Sequence, residues 1–509
     1  MTSPIQQRIR DKTISASRFA ELVKPGDWLN VGTVGGDAAA CAHAVAQRLG
    51  PGPGDLKDIE LWNYALFFPQ PWWQEIDPQQ KFHCFHEYFF FPWNRKARDT
   101  NGVTSWAHWG WSLGMWFHHY RFYNKVKEHR GIDWWCNAVS PSDHRGFFNF
   151  SYGTNNAIMF RETAKKIVLE VRDDYPWAIG GNSQNVINID DVDYIVECDT
   201  DRYRWPQMDE TKIVPTAEEA AIAKNILTIM ADGDCVQLGI GSLPSAVVIG
   251  MRDAGLKDLG VHTEMMNAGL MSLIESGQVT NRRKSIDRGR SVWTFAFPVD
   301  RQRYYDFVHQ NQSLAAYDID YTNNIMQLSR IDNMIGINNF VAIDLYGQLC
   351  CGHYEGRPIS STGGFFNFVS FCSLSRGGRS VASATSRSKH KTSRIVPTLP
   401  PGSVVDVPAQ LTSWVCTEYG IVNLRGLNGY ERAEAIISIA HPDDREWLRE
   451  EAKKLNLLPP SFPVSMKPEE GGARRYPHYL RDRRDYKIPY TSRLWGHDYL
   501  GDDGITSGK

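Results

Sequence analysis

The sequence predicts an α/β protein made of two fused open α/β units, and three observations predict it. Short β-branched runs alternate with helical segments along most of the 509 residues, the grammar of a sheet covered by helices. Glycines stand where a predicted strand meets a helix, at Gly32, Gly35 and Gly36 and again at Gly239 and Gly241. A polar stretch with two prolines, 200–215, divides the chain as a linker would.

Taken in order, SASRFAELV reads as a helix, KPGD as a turn and WLNVG as a strand. The glycines follow, then an alanine-rich helix, AAACAHAVAQRL. AKKIVLEVRD and DVDYIVECD are β-branched runs between polar turns and read as strands. Between them and the first helix lies an aromatic-rich segment, about 62–135. After the linker, TAEEAAIAKNILTIMA is a helix whose Thr216 is followed three residues later by Glu219, a capping box. CVQLGIG, LGVHTEMM, FVAIDLYGQL, RSVASAT and SVVDVPAQ read as strands, with PSAVVIGM a helix after the first. The expected units are therefore 1–205 and 216–458. Residues 459–509, rich in charge, Pro and Tyr, read as an extended tail along a surface.

Composition narrows the function. Lys+Arg 56 against Asp+Glu 58, with the signs interleaved, argues against nucleic acid, whose binders carry a basic excess. No window approaches 18 uninterrupted apolar residues and the start, MTSPIQQRIRDK, has no apolar core, so neither membrane insertion nor secretion is expected. Nine cysteines without a CxxC pair fit reduced thiols in a cytoplasm. The abnormal number is 17 tryptophans, ten of them between Trp62 and Trp135. Seven of the 15 histidines lie between His83 and His144.

Four stretches could carry chemistry. Gly239-Ile240-Gly241-Ser242-Leu243 joins a strand to a helix, where glycines let a ligand approach the backbone and the helix N-terminus offers N–H groups to an anion. It lacks the third glycine of a dinucleotide fingerprint and the lysine of a P-loop, and a plain tight turn reads the same way. Glu264 ends an apolar strand run, where a carboxylate is usually paired or functional, although a surface position reads the same way. Asn338, just before the strand FVAIDLYGQL, and Gly363 with Gly364 in SSTGGFFNF are donor types that stabilise an oxyanion, although each stretch alone is equally a turn.

The order and wording of these stretches resemble the class I coenzyme A transferases, in the acetyl-CoA hydrolase/transferase branch, especially its butyryl-CoA:acetate and 4-hydroxybutyrate CoA-transferases. The matching text includes KPGDWLNVG, AVSPSDHRGFFNF, VQLGIGSLPSAV, DLGVHTEM, VTNRRKSIDR, DYTNN, SRIDNMIGINNFVAIDLYGQ, TGGFFNFV, TEYGIVNLRG and RAEAIISIAHPDDR. The resemblance implies two fused domains of CoA-transferase type with the active site in the cleft between them. It makes Glu264, in the H-[ST]-E motif, the nucleophile that carries CoA as a glutamyl thioester. It makes Asn338, Gly363 and Gly364 the oxyanion donors, and Gly239, Ile240, Gly241, Ser242 and Leu243 the CoA-binding loop. The implied substrates are an acyl-CoA and a carboxylic acid, with no resident cofactor and no metal, in a homodimer or homotetramer. An acyl-CoA hydrolase using the same glutamate is the alternative. The family's GGQxDF stands here as Gly363-Gly364-Phe365-Phe366-Asn367-Phe368, and Ser386–Lys391 replaces the usual glycine-containing turn.

The aromatic segment is where the family wording stops. Rings such as Trp109, Trp111 and Trp116, with Phe365, would line an acyl pocket for a bulky or aromatic acid. Core or interface packing would use the same residues. A metal site from His83, Cys84, His86, Glu87, His118 and His119 is the weakest of the three, because no second ligand pair recurs at metal-site spacing.

Overall fold

Fully buried strands carry continuous apolar runs, and two strands of the N-terminal sheet are of that kind. In chain order its strands are β1 (Trp28–Asn30), β2 (Ile59–Asn63), β3 (His83–Glu87), β4 (Ser105–Trp106), β5 (Trp134–Val139), β6 (Lys166–Val171) and β7 (Tyr194–Glu197). They are hydrogen-bonded in the order β4-β3-β2-β1-β5-β6-β7, every pair parallel. β1 and β5 are buried at every position, as expected of a parallel sheet covered on both faces. Helix α1 (Ala39–Ala46) covers one face, its small residues allowing close approach. The computed structural model describes residues 3–63, 71–87, 92–101, 105–106, 111, 132–205, 213–239, 241–461 and 468. Trp109, Trp116, His118, His119, Ile240 and nearly all of the expected tail lie outside the described residues.

Part of the aromatic segment is thus sheet. Strands β3 and β4 extend the β2 edge, and Trp62 of β2 stacks on His86 of β3 with ring centroids 3.8 Å apart. His83 and His86, which would converge on a helix, point to opposite faces of a strand. The His83 ring instead bonds Asp77 Oδ2 at 2.8 Å, and that carboxylate also accepts the Lys81 and Phe82 N–H groups.

The C-terminal sheet contains β8 (Cys235–Leu238), β9 (Gly260–Val261), β12 (Met334–Asn339), β13 (Arg379–Ser383), β14 (Trp414–Thr417) and β15 (Gly420–Asn423). Two short strands, β10 (Met265–Met266) and β11 (Phe295–Ala296), pair with each other outside it. The main sheet runs β9-β8-β12-β13-β14-β15, parallel except for the final β14–β15 hairpin. Helix α2 (Ala217–Leu227) starts at the expected capping box: Thr216 Oγ1 accepts the Glu219 N–H at 3.2 Å and Glu219 Oε2 accepts the Thr216 N–H at 2.8 Å. Helix α3 (Ser242–Asp253) follows β8 across the glycine turn.

Three expectations shift. Asn338 lies inside β12 rather than before a strand, because MIGINN is itself the central parallel strand. FVAIDLYGQL is not one strand: Ala342–Asp344 turns back to pair antiparallel with Leu349–Cys350 in a three-stranded side sheet. SVVDVPAQ forms no strand, only an isolated bridge from Val407 to Leu349; Pro408 follows with no N–H to continue a ladder.

The two halves share backbone hydrogen bonds and a core. Ala296 N–H donates to Tyr152 O at 2.8 Å, Thr154 N–H to Thr294 O at 3.0 Å and Ile319 N–H to Asn155 O at 2.7 Å. One buried apolar cluster includes Trp28 and Trp135 from the first half and Val236 and Trp293 from the second.

Candidate active site

LGVHTEMM breaks into two strands that belong to different sheets, and Glu264 sits in the break between β9 and β10. Its backbone carbonyl accepts the N–H groups of Thr294 at 3.0 Å and Phe295 at 3.2 Å, so it is fastened to the seam between the halves. Its Oε2 accepts Asn323 Nδ2 at 2.6 Å. The side chain keeps a little surface exposure, yet its carboxyl is enclosed by protein. That desolvation pushes its pKa up to about 7, while the Asn323 bond favours the ionised form and pulls the other way.

Two residues earlier, His262 is fully buried. Its Nε2 donates to Thr322 O at 2.9 Å, because a carbonyl can only accept. Burial and the nearby Lys284 ammonium lower its pKa to about 3, so it stays neutral. Thr322 ends the helical turn Ile319–Thr322 and Asn323 caps it. The strand of the H-T-E motif and the turn bearing Asn323 are therefore tied together at two points.

The glycine pair lies against the carboxyl. A Cβ on Gly364 would stand 1.9 Å from Glu264 Oε2 and 2.8 Å from Asn323 Nδ2, so only glycine leaves room for the carboxylate. Gly363 has φ +52°, the left-handed region that glycine adopts freely. Gly364 then opens helix α4 (Phe365–Phe371). Among the described residues neither glycine N–H has an acceptor.

Sequence reasoning chose Asn338 as the side-chain donor, and the structure commits that amide elsewhere. Asn338 Nδ2 donates to Gln237 Oε1 at 2.9 Å and Gln237 Nε2 to Asn338 Oδ1 at 3.3 Å, a reciprocal pair between β12 and β8. The amide at Glu264 is Asn323, which lies in DYTNN. That segment was legible as family wording, but nothing in its spacing marked it as a donor.

At the loop after β8, Gly241 has φ +116° with open space beside its α-carbon. Helix α3 has no side-chain N-cap there, and among the described residues the Ser242 and Leu243 N–H groups have no acceptor, which leaves them open to an anion. The Ser242 hydroxyl bonds Glu219 and Leu243 is buried. Asn267, three residues past Glu264, caps the next helix through the Leu270 N–H at 2.9 Å and donates to Gly239 O at 3.5 Å. The loop and the glutamate segment are thereby linked.

Trp111 arrives from the first half. Its indole lies on the Phe295 ring, centroids 5.3 Å apart at 27°, and its Nε1–H donates to Asn156 Oδ1 at 3.1 Å. Its backbone N–H donates to Gly363 O at 3.1 Å. Phe365 packs in the buried cluster of Phe340, Val369 and Ala382. Among the described residues no group of three His, Cys, Asp or Glu side chains could hold a metal ion, and no helix is long and apolar enough to cross a membrane.

Comparison with known proteins gives the family and supports the fold. Residues 4–202 match the acetyl-CoA hydrolase/transferase N-terminal domain and residues 301–452 the acetyl-CoA hydrolase/transferase C-terminal domain. The chain is 33% identical over 462 residues to the butyryl-CoA:acetate CoA-transferase of Anaerostipes caccae, covering 89% of this chain and 98% of that protein. It is 31% identical over 454 residues to the succinyl-CoA:cyclohexane-1-carboxylate CoA transferase of Geobacter metallireducens, covering 89% of this chain and 98% of that one. The crystal structure of RipA from Yersinia pestis superposes with a TM-score of 0.77 at 29% identity, over 90% of this chain and 100% of its own.

Proposed function

The chain belongs to the acetyl-CoA hydrolase/transferase family and is an enzyme that transfers coenzyme A; from that premise we propose that it is an acyl-CoA:carboxylate CoA-transferase in which Glu264 carries the CoA between two acids. The observation that supports this reading most is the Glu264 carboxyl lying against the α-carbon of Gly364, beside unpaired backbone amides.

In this mechanism a Glu264 oxygen attacks the thioester carbonyl of the acyl-CoA. The C–S bond breaks, leaving an acyl–glutamyl anhydride and CoA thiolate. The thiolate then attacks the glutamyl carbonyl, the anhydride C–O bond breaks, and the first acid leaves as its carboxylate. A second carboxylate reverses the sequence and departs as the new thioester, with no net proton change. Each tetrahedral intermediate places an oxyanion near Glu264, where the Gly363 and Gly364 N–H groups and the Asn323 amide are the available donors. Enclosure of the carboxyl withholds water from the anhydride and the thioester. The loop of Gly239, Gly241, Ser242 and Leu243, at the open N-terminus of α3, supplies donors for a CoA phosphate.

The acid is a bulky one in this proposal. Trp111 and Phe295 present aromatic rings at the strand that holds Glu264, and one relative is named for a cyclohexane carboxylate. The enzyme works in the cytoplasm as a homodimer or homotetramer. The deciding experiment feeds acetyl-CoA or succinyl-CoA with a series of labelled acids, aryl and cycloalkyl acids included, and follows label into new thioesters. Trapping should reveal a CoA adduct on Glu264 that Glu264→Ala abolishes. Thiol release indifferent to every added acid would instead identify a hydrolase.

A further inference from the structure

We propose that Trp111 is a positioning residue: its backbone N–H holds the Gly363–Gly364 peptide in the orientation that turns the Gly364 N–H toward the oxyanion formed at Glu264. The inference rests on Glu264 being the nucleophile.

A trans peptide directs its C=O and N–H to opposite sides of the bond. Whatever grips the Gly363 carbonyl therefore sets the direction of the Gly364 N–H. That carbonyl accepts the Trp111 N–H at 3.1 Å, with a longer contact of 3.4 Å from the Thr362 hydroxyl of the neighbouring residue. The amide proton on the other side has no acceptor among the described residues, and the Gly364 α-carbon touches the Glu264 carboxyl.

The arrangement needs an external clamp. A peptide between two glycines has no Cβ on either side to bias it, and it rotates more freely than any other. Gly364 must be glycine to admit the carboxylate, so side-chain sterics cannot hold the turn. Trp111 is itself fixed at two further points, by its indole bond to Asn156 and by its stack on Phe295. The N–H of Phe295 donates to the Glu264 carbonyl, so one ring references both the glycine turn and the nucleophile strand. An oxyanion donor aimed in advance costs no reorganisation during the reaction.

The test compares Trp111→Ala with Trp111→Pro in the full-length enzyme. Both lack the indole, and only proline lacks the N–H. The expected result is a kcat lower for Trp111→Pro than for Trp111→Ala by about 10²-fold, the usual cost of an oxyanion donor, with KM for acyl-CoA changed less than threefold in both. Equal kcat values would overturn the proposal. A role in packing alone would lower thermal stability and active fraction without separating kcat from KM. If Trp111→Pro does not fold, Trp111→Phe against Trp111→Ala decides. Phenylalanine keeps the stack that seats the N–H, so its kcat should exceed that of the alanine variant about tenfold, and no difference refutes the clamp. Glu264→Ala separates the two levels. If it remains active, the nucleophile assignment fails; if it is inactive while Trp111→Pro matches Trp111→Ala, only the clamp fails.

Discussion

Gly364→Ala is the sharpest perturbation of the site, because a single methyl group would be set where the Glu264 carboxylate, the proposed nucleophile, stands. The added Cβ would lie 1.9 Å from Glu264 Oε2, whereas an ordinary non-bonded contact is roughly 3.5 Å. The carboxylate must then retreat by about 1.5 Å or turn to another rotamer. A displacement of ~1 Å at a reacting centre costs ~10²-fold in rate, which is about 2.7 kcal/mol of barrier. The backbone itself tolerates alanine, since Gly364 sits at φ −82°, ψ 0°. The expected outcome is a kcat/KM for acyl-CoA reduced at least ~10²-fold, slower appearance of the Glu264–CoA adduct by mass spectrometry, and little change in melting temperature. Turnover within threefold of the parent would show that the carboxyl does not react from this position, and the placement of the nucleophile would have to be abandoned.

Further outcomes follow from the same geometry. In the proposed mechanism only ionised Glu264 attacks, and burial holds its pKa at about 7, so kcat/KM should fall as pH drops through about 7; a midpoint near the ordinary 4.5 would refute the enclosure. Asn323→Ala removes a bond to the ionised form, so that midpoint should move upward; a downward move would contradict the contact. Because the folded pKa is raised, the native state favours protonated Glu264: the cost of ionisation is absent below pH 4.5 and fully present above about 7. Glu264→Gln should therefore raise stability at pH 8 by at most about 3 kcal/mol, less for the residual solvent contact, with the gain fading toward pH 5; urea denaturation at both values checks it. Asp234 and Arg379 form a buried ion pair at 2.6 Å, so Asp234→Ala should cost about 3–5 kcal/mol by stranding the guanidinium, and a loss below 1 kcal/mol would mean that water reaches it.

Much of the fold is legible along the chain. The β-branched runs at 166–171, 194–197 and 379–383 are strands, and the capping box at Thr216 starts the helix it announces. These are local features: side-chain period, cap chemistry and turn residues act within a few positions. Where tertiary context overrides the local signal, the reading shifts. SVVDVPAQ has strand composition but no partner beyond one bridge. His83 and His86 have the spacing of one helical face, and pairing with β2 makes that segment a strand.

The site divides the same way. Glu264 and the Gly363–Gly364 pair are marked by motif, and the fold brings them into contact across 100 residues of sequence. The choice of Asn323 over Asn338 is invisible in one dimension. Both are asparagines in family wording, and only the register of β12 against β8 hands the Asn338 amide to Gln237 while the turn at 319–322 aims Asn323 at the carboxyl. Trp111 belongs to the same class of fact, since composition marks an aromatic segment without saying which ring meets the glycine turn. The sequence alone thus determined the α/β class and many of the strands and helices, because these follow from periodicity and local chemistry, while its resemblance to the coenzyme A transferases marked Glu264 as the candidate nucleophile. Tertiary structure alone decided which groups surround Glu264, its raised pKa and the hydrogen bond from Trp111 to Gly363, because desolvation and hydrogen-bond geometry depend on residues distant in the chain and adjacent in space.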